Sequence, residues 1–264
     1  MNAIELDWVD LAAAGTLIAV NALISIAFRL GMERTLAIAA VRSVVQLLAV
    51  GYVLEAVFEL SAVWAVVPLM VAMCLLAAQA AVKRTSRQYP GMYSGALLAM
   101  GLSAGSTLMF ALLVVIGVDP WWNPRYAIPI LGMILGNSLT GISLALDRFV
   151  AGLWERRGEV ELHLSHGATP REAVRRIRAE AVRVGMIPII NTMMVVGTVS
   201  LPGMMTGQIL SGTPPREAVA YQIVIIFVLA AATASGSVTA VLLAERRLFG
   251  HGERLLAERI TRSR

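Results

Sequence analysis

Apolar stretches long enough to cross a bilayer recur along the whole chain, and they limit the fold more than any single motif does. Hydrocarbon about 30 Å thick requires about 20 mainly apolar residues per helical span, with each backbone polar group satisfied inside the protein. Runs of this kind are read near residues 9–28, 35–54, 62–82, 94–118, 126–146, 185–210 and 217–243. Turn chemistry separates them, because Pro90-Gly91, Asp119-Pro120, Asn123-Pro124 and Pro214-Pro215 all fall between runs. The expected fold is an all-α integral membrane protein, a polytopic bundle of about seven transmembrane helices in one membrane domain over residues 1–264.

Composition supports this solvent. Of 264 residues, 58% are hydrophobic and 15% charged, a balance that excludes an ordinary water-soluble domain. Cys74 is the one cysteine, so neither a disulfide framework nor a cysteine-built metal site can come from a single chain. The first ten residues carry Glu5, Asp7 and Asp10 and no basic residue, the wrong charge for a secretory signal, and the first apolar run is expected to be retained.

The net charge of +5 could indicate nucleic acid, but its distribution indicates orientation instead. If the helices alternate in direction, one side receives Arg29, Arg34, Lys83, Arg84, Arg87, Arg148 to Arg183 and Arg246 to Arg264. The other side receives Arg125 and Arg216. Basic residues mark the cytoplasmic side, which predicts an outside N-terminus, a cytoplasmic C-terminus and no nucleic-acid partner. Trp8, Trp64, Trp121 and Trp122 agree, since all fall at predicted outer ends where indole rings favour the headgroup level; Trp154 alone falls in a cytoplasmic segment.

Residues 147–184 form the longest polar stretch, with eight arginines together with His163 and His166. Thr169-Pro170-Arg171-Glu172 reads as a helix start, with Thr169 as cap, Pro170 at the first helical position and Glu172 closing a capping box. Val174, Ile177, Ala181 and Val184 then recur at helical spacing while arginines occupy other positions, so an amphipathic cytoplasmic helix is expected. It would lie on anionic headgroups or dock a cytoplasmic partner, and Arg171, Glu172, Arg175, Arg176, Arg178 and Arg183 are the candidate docking residues. The two histidines, three apart, are read as solvated because no third metal ligand is evident.

Inside the spans the clear ionisable residue is Arg42, near a cytoplasmic end where its side chain can snorkel; carboxylates are expected outside the membrane. In the fifth span Gly132, Gly136, Thr140, Ser143 and Asp147 share one helical face, either a close-packing stripe or a path lining. In the sixth, Pro188 and Pro202 should interrupt the hydrogen-bond ladder and make the segment a candidate gate. Residues 200–212 could instead form a separate re-entrant element. Met186, Met193, Gly197, Ser200 and Met204 are expected on one face, as packing residues or thioether ligands of a soft metal.

No Gly-x-x-x-x-Gly-Lys-Ser/Thr loop occurs, and Lys83, the one lysine, follows Ala-Gln-Ala-Ala-Val; nor is there a His-Glu-x-x-His motif or a pair of intramembrane carboxylates. No catalytic residue, enzymatic chemistry or resident metal is therefore assigned to the chain. If transport is ATP-driven, hydrolysis belongs to another polypeptide.

Two long segments carry a resemblance. They are Gly132-Met133-Ile134-Leu135-Gly136-Asn137-Ser138-Leu139-Thr140-Gly141, and Ile187-Pro188-Ile189-Ile190-Asn191-Thr192-Met193-Met194-Val195-Val196-Gly197 continuing through Ser200-Leu201-Pro202-Gly203-Met204-Met205-Thr206-Gly207-Gln208. With Tyr221-Gln222-Ile223-Val224 and the run at Ser235-Gly236-Ser237, the chain resembles the FetB-type permeases of bacterial iron-export ABC transporters over nearly its whole length. Plant members of that family are associated with aluminium tolerance.

The resemblance implies a permease domain in the bacterial plasma (inner) membrane that binds no cofactor itself and works as a homodimer. Its partner would be a separate ABC-type ATPase holding ATP with magnesium, with residues 147–184 as the coupling segment. Candidates for the substrate path are Asn137, Thr140, Ser143, Asn191, Thr192, Met193, Met204 and Gln208. The alternatives are an ATP-independent secondary transporter or channel gated by the sixth span, and an ABC permease that imports or moves a non-metal solute.

Overall fold

The computed structural model describes residues 7–250 and 254–262. Glu5, used in the secretory-signal argument, and Arg264, used in the orientation argument, lie outside the described residues, as does the side chain of Trp8. The described residues are helical almost throughout and divide into two compact units, the first running to Ser61 and including residues 210–212, the second holding the remainder.

In the first unit, α1 (Trp8–Ala27) and α2 (Glu33–Leu60) are joined through Ser25. Its hydroxyl donates to the Glu33 carboxylate at 3.0 Å and accepts the Met32 N–H at 2.9 Å. Leu17, Leu23, Val45 and Leu47 are exposed, so these helices present apolar faces that suit lipid and not water. Arg42 is exposed on α2.

The second unit begins with α3 (Val63–Lys83) and α4 (Met92–Met109), which continues as a π-helix over Phe110–Ile116. Next comes α5 (Pro124–Glu155), whose Asn123 cap accepts the Arg125 N–H and whose Pro124 occupies the first turn, where a missing donor costs nothing. Three shorter segments follow, α6 (Arg157–Ser165), α7 (Pro170–Ala173) and α8 (Arg175–Val195), and then α9 (Gly203–Leu210) and α10 (Pro215–Leu248). A two-stranded antiparallel ribbon pairs β1 (Arg87–Gln88) with β2 (Thr261–Arg262) and ties the C-terminal tail to the α3–α4 connection.

The core lies where α5, α8 and α10 meet. A Cβ on Gly141 would stand 3.0 Å from the Gly185 carbonyl oxygen and 3.2 Å from the Ser237 hydroxyl, so these backbones pack as closely as glycine permits. Beside Ser237 on α10, a Cβ on Gly236 would stand 2.9 Å from the Ser103 hydroxyl of α4 and 3.0 Å from Ile142 of α5. Successive close approaches, Gly141 with Gly185 and Gly152 with Ile177, show that α8 runs antiparallel to α5. Of the small-residue stripe, a Cβ on Gly132 would meet Met73 of α3 at 3.5 Å and one on Gly136 would meet nothing within 4 Å, whereas the glycine that permits the α5–α8–α10 crossing is Gly141 on another face.

Among the described residues, six helices are long and apolar enough to cross a bilayer: Val9–Ala27, Glu33–Leu60, Val63–Lys83, Met92–Ile116, Pro124–Glu155 and Pro215–Leu248. The segment expected as one span over 185–210 has another construction. Pro188 lies inside α8 without breaking it, and helix α8 begins as far back as Arg175 in the arginine-rich stretch. The break comes at Val196–Pro202, where Gly197 takes φ +81° and its N–H donates to the Ser200 carbonyl. Counted from the Gly141–Gly185 crossing, α8 stops about two turns short of the level where α5 begins. Helix α8 continues through Pro188, whereas the left-handed Gly197 followed by Pro202 leaves no helical register to continue. The single face expected for Met186, Met193, Gly197, Ser200 and Met204 is therefore absent.

Ion pairs fasten the basic end. Glu180 on α8 accepts from Arg148 and, at 3.2 Å, from Arg156, both carried by α5 and its C-terminal cap. Arg178 reaches Glu245 of α10 at 2.9 Å, and Glu245 is buried. Two guanidinium groups stand within cation–π range of Trp154, Arg87 at 4.8 Å and Arg157 at 5.0 Å from its ring centre.

Two outcomes follow for purified protein in detergent. Gly141→Ala should lose about 1–3 kcal/mol through overpacking, whereas Gly136→Ala should gain about 0.5–1 kcal/mol from helix propensity; equal melting curves for the two variants would contradict the crossing. Arg148 and then Arg156 hold the Glu180 carboxyl below its ordinary value of 4.5. Its contribution is thus complete above that value and lost as pH falls through the lowered one, so the wild type should lose more stability on acidification than Glu180→Gln.

Candidate translocation path and coupling surface

The candidate path residues of α5 satisfy their own helix. The Asn137 amide donates to the Met133 carbonyl at 3.0 Å, the Thr140 hydroxyl to Gly136 at 3.2 Å and the Ser143 hydroxyl to Thr140 at 3.0 Å. Asp147, the end of the same stripe, accepts both the N–H and the hydroxyl of Ser86 and so anchors the loop after α3. On α8, Asn191, Thr192 and Met193 are exposed, with the Thr192 hydroxyl donating to Pro188 at 3.0 Å. Met204 and Gln208 are half-buried on the separate helix α9, and Met204 packs against the core.

The antiparallel crossing sorts these residues by level. Asn137 precedes Gly141 by one turn and Ile189 follows Gly185 by one turn, so Asn137 shares the level from which Asn191 and Thr192 continue. Ser143 and Asp147 lie on the other side of the crossing.

Among the described residues, the buried hydroxyls of Ser138 and Ser237 and the buried side-chain carbonyl of Gln222 have no internal hydrogen-bond partner. Each is costly in an apolar surrounding, about 1–3 kcal/mol, which makes unpaired groups of this kind candidate functional atoms. Sequence reasoning passed over all three because small hydroxyls and a lone amide in an apolar helix also occur as packing residues. The available signal was their placement, with Ser138 between Asn137 and Thr140 and Ser237 in the run after Thr233.

At the basic end, a cavity of about 320 Å³ between α6 and the α7–α8 junction is lined by Glu159, His163, Glu172, Arg175, Arg176 and Ile177. The start of α7 is as the sequence predicts: Glu172 accepts the Thr169 hydroxyl at 2.7 Å and the Thr169 N–H at 2.9 Å. Those two bonds hold its carboxyl below the usual range. The helix is interrupted once at Val174, and Val174, Ile177 and Ala181 are buried in the core and not laid on headgroups. Of the six docking candidates, Glu172, Arg175 and Arg176 line the cavity together. Arg171 and Arg183 are exposed elsewhere, and Arg178 is turned inward to Glu245. His163 stands 4.0 Å from Glu159, and no group of three metal-ligating side chains occurs among the described residues.

Comparison with known proteins places this architecture. The sequence pattern of the uncharacterised protein family UPF0014 matches residues 8–249. The chain is 38% identical over 254 residues to the UPF0014 membrane protein slr1647 of Synechocystis, covering 96% of this chain and 98% of that one. It is 30% identical over 260 residues to the probable iron export permease protein FetB of Escherichia coli, covering 98% and 99%. Similarity extends to the protein ALUMINUM SENSITIVE 3 of Arabidopsis thaliana, 31% identical over 228 residues with 86% and 82% covered. No solved structure matches the chain. Matched almost from end to end, and helical where such a membrane protein must be, the chain belongs to the UPF0014 family.

Proposed function

We propose that this chain is the membrane permease subunit of an ABC transporter that exports iron or a related metal species from the cytoplasm. A separate ATPase subunit carries ATP with magnesium, and two permease copies form the pathway in the bacterial inner membrane. The observation that carries the reading is the cavity at the α6–α8 junction, where Glu172, Arg175 and Arg176 converge on a helix that runs unbroken into the Gly141–Gly185 crossing. A push on Arg175 is delivered along α8 to the core, the lever that nucleotide-driven rocking requires. FetB, similar over the full length, is named a probable iron export permease.

Metal passes as substrate and not as a resident ion. Hard cations take oxygen ligands, and the unpaired oxygens of Ser138, Gln222 and Ser237 offer that chemistry without a carboxylate to trap the ion. A second reading, transport without nucleotide, draws on the break at Val196–Pro202, because irregular backbone at membrane depth is found where it is covered by protein or lines a water-filled cavity.

Proteoliposomes separate the two. Iron flux that requires both the ATPase and ATP supports the ABC reading, and equal flux through the permease alone supports the second. Reversing Arg175 and Arg176 to Glu should weaken ATPase capture about ten-fold or more, while shifting permease stability by no more than about 0.5 kcal/mol. Arg178 is left intact in that experiment, because reversing it would set two carboxylates against each other at Glu245 and confuse misfolding with lost docking. Unchanged capture and export in the double variant would defeat the docking assignment.

A further inference from the structure

A second basic cavity, larger than the first, lies at the C-terminal end of α10. It encloses about 730 Å³, and Arg246, Arg247, Arg254 and Arg259 line it together with Pro90 and Leu256. Two of these arginines have an ordinary explanation, since Arg246 and Arg247 occupy the last turn of α10 where cations complement the helix dipole. Arg254 and Arg259 do not. They come from the tail, which folds back so that the Leu256 N–H donates to the Leu248 carbonyl and the Gly250 N–H to Arg254, while Leu255 and Ile260 are buried as anchors. That fold-back and the β1–β2 ribbon bring the tail's arginines to the same space as those of α10.

The start of α4 adds to the same field. Pro90 lines the cavity, and Gly91, the N-terminal cap of α4 with φ +83°, lacks a Cβ at the place where the Arg247 guanidinium passes. A cation set against a helix N-terminus is unfavourable by itself, and an anion between them reverses the sign for both. Among the described residues the carboxylate paired to any of the four is Glu258, 3.5 Å from Arg254 on the exposed side. Four arginines thus line a cavity large enough for a phosphate and the groups attached to it, and no carboxylate is among its described lining residues.

We infer that this cavity binds a phosphate group, either the headgroup of an anionic phospholipid or a soluble phosphate. Forked guanidinium donors match phosphate oxygens, and basic pockets at the membrane's charged face take anionic headgroups. The site lies on α10, α4 and the tail, apart from the cavity at the α6–α8 junction, and it stands whether or not the chain is an iron exporter.

The test uses the full chain in neutral detergent and a fluorescent phosphatidylglycerol probe, read by anisotropy. Wild type should bind this probe and not its phosphatidylcholine counterpart. Arg254→Gln with Arg259→Gln should weaken binding about thirty-fold, at about five-fold per arginine, while the Arg→Lys pair at both positions retains most of it and controls for folding of the tail. Inorganic phosphate that displaces the lipid probe assigns the site to a soluble phosphate, and failure to displace assigns it to the lipid. Equal binding of the two lipids, or wild-type affinity in the Gln variant, would overturn the inference.

Discussion

The contact on which the second unit depends is the approach of α5, α8 and α10 at Gly141, Gly185 and Ser237. Lipid tails are as apolar as leucine, so burying apolar side chains gives helices little reason to associate in a bilayer; van der Waals contact between closely approaching backbones takes that role. With no side chain on Gly141 or Gly185, the helices meet at backbone distance, and the level of each residue on α8 is fixed relative to α5. That level determines where the break at Val196–Pro202 falls in depth, and which end of α8 meets Glu245.

Helix α8 is the element that joins the two regions of interest. Its first turns carry Arg175, Arg176, Arg178 and Glu180, and its last turns carry Asn191, Thr192 and Met193. Ion pairs from Glu180 to Arg148 and Arg156 are partly exposed and hold position more than they add stability. The Arg178–Glu245 pair, with its carboxylate buried, is the stronger constraint on how α8 can slide against α10. Helix α8 is thus anchored by ion pairs near its first turns and ends at Val195, where the chain leaves helical geometry.

Much of this was legible in the residues. The apolar runs, the capping box at Thr169 and Glu172, and the breaks at Asn123-Pro124 and Pro214-Pro215 followed from length and turn chemistry, all local properties. The sequence misled where a local rule met a tertiary neighbour. Pro188 is a helix breaker in isolation, yet α8 passes through it. The stripe through Gly132 and Gly136 had the right spacing for packing, but spacing does not say which face meets α8 and α10, and Gly141 was the residue that did. Arg178 looked like one more docking arginine until Glu245, distant in sequence, proved to be its partner.

The chain by itself determined its solvent, its helical class and the end at which its arginines gather, because bilayer thickness and backbone hydrogen bonding act on each segment separately. Only the tertiary structure decided which small residues lie at the crossing, that Ser138, Gln222 and Ser237 keep unpaired oxygens, and that arginines from the tail and from α10 share one cavity. Those outcomes rest on distances between segments far apart in sequence, and no periodicity within a single helix encodes such a distance.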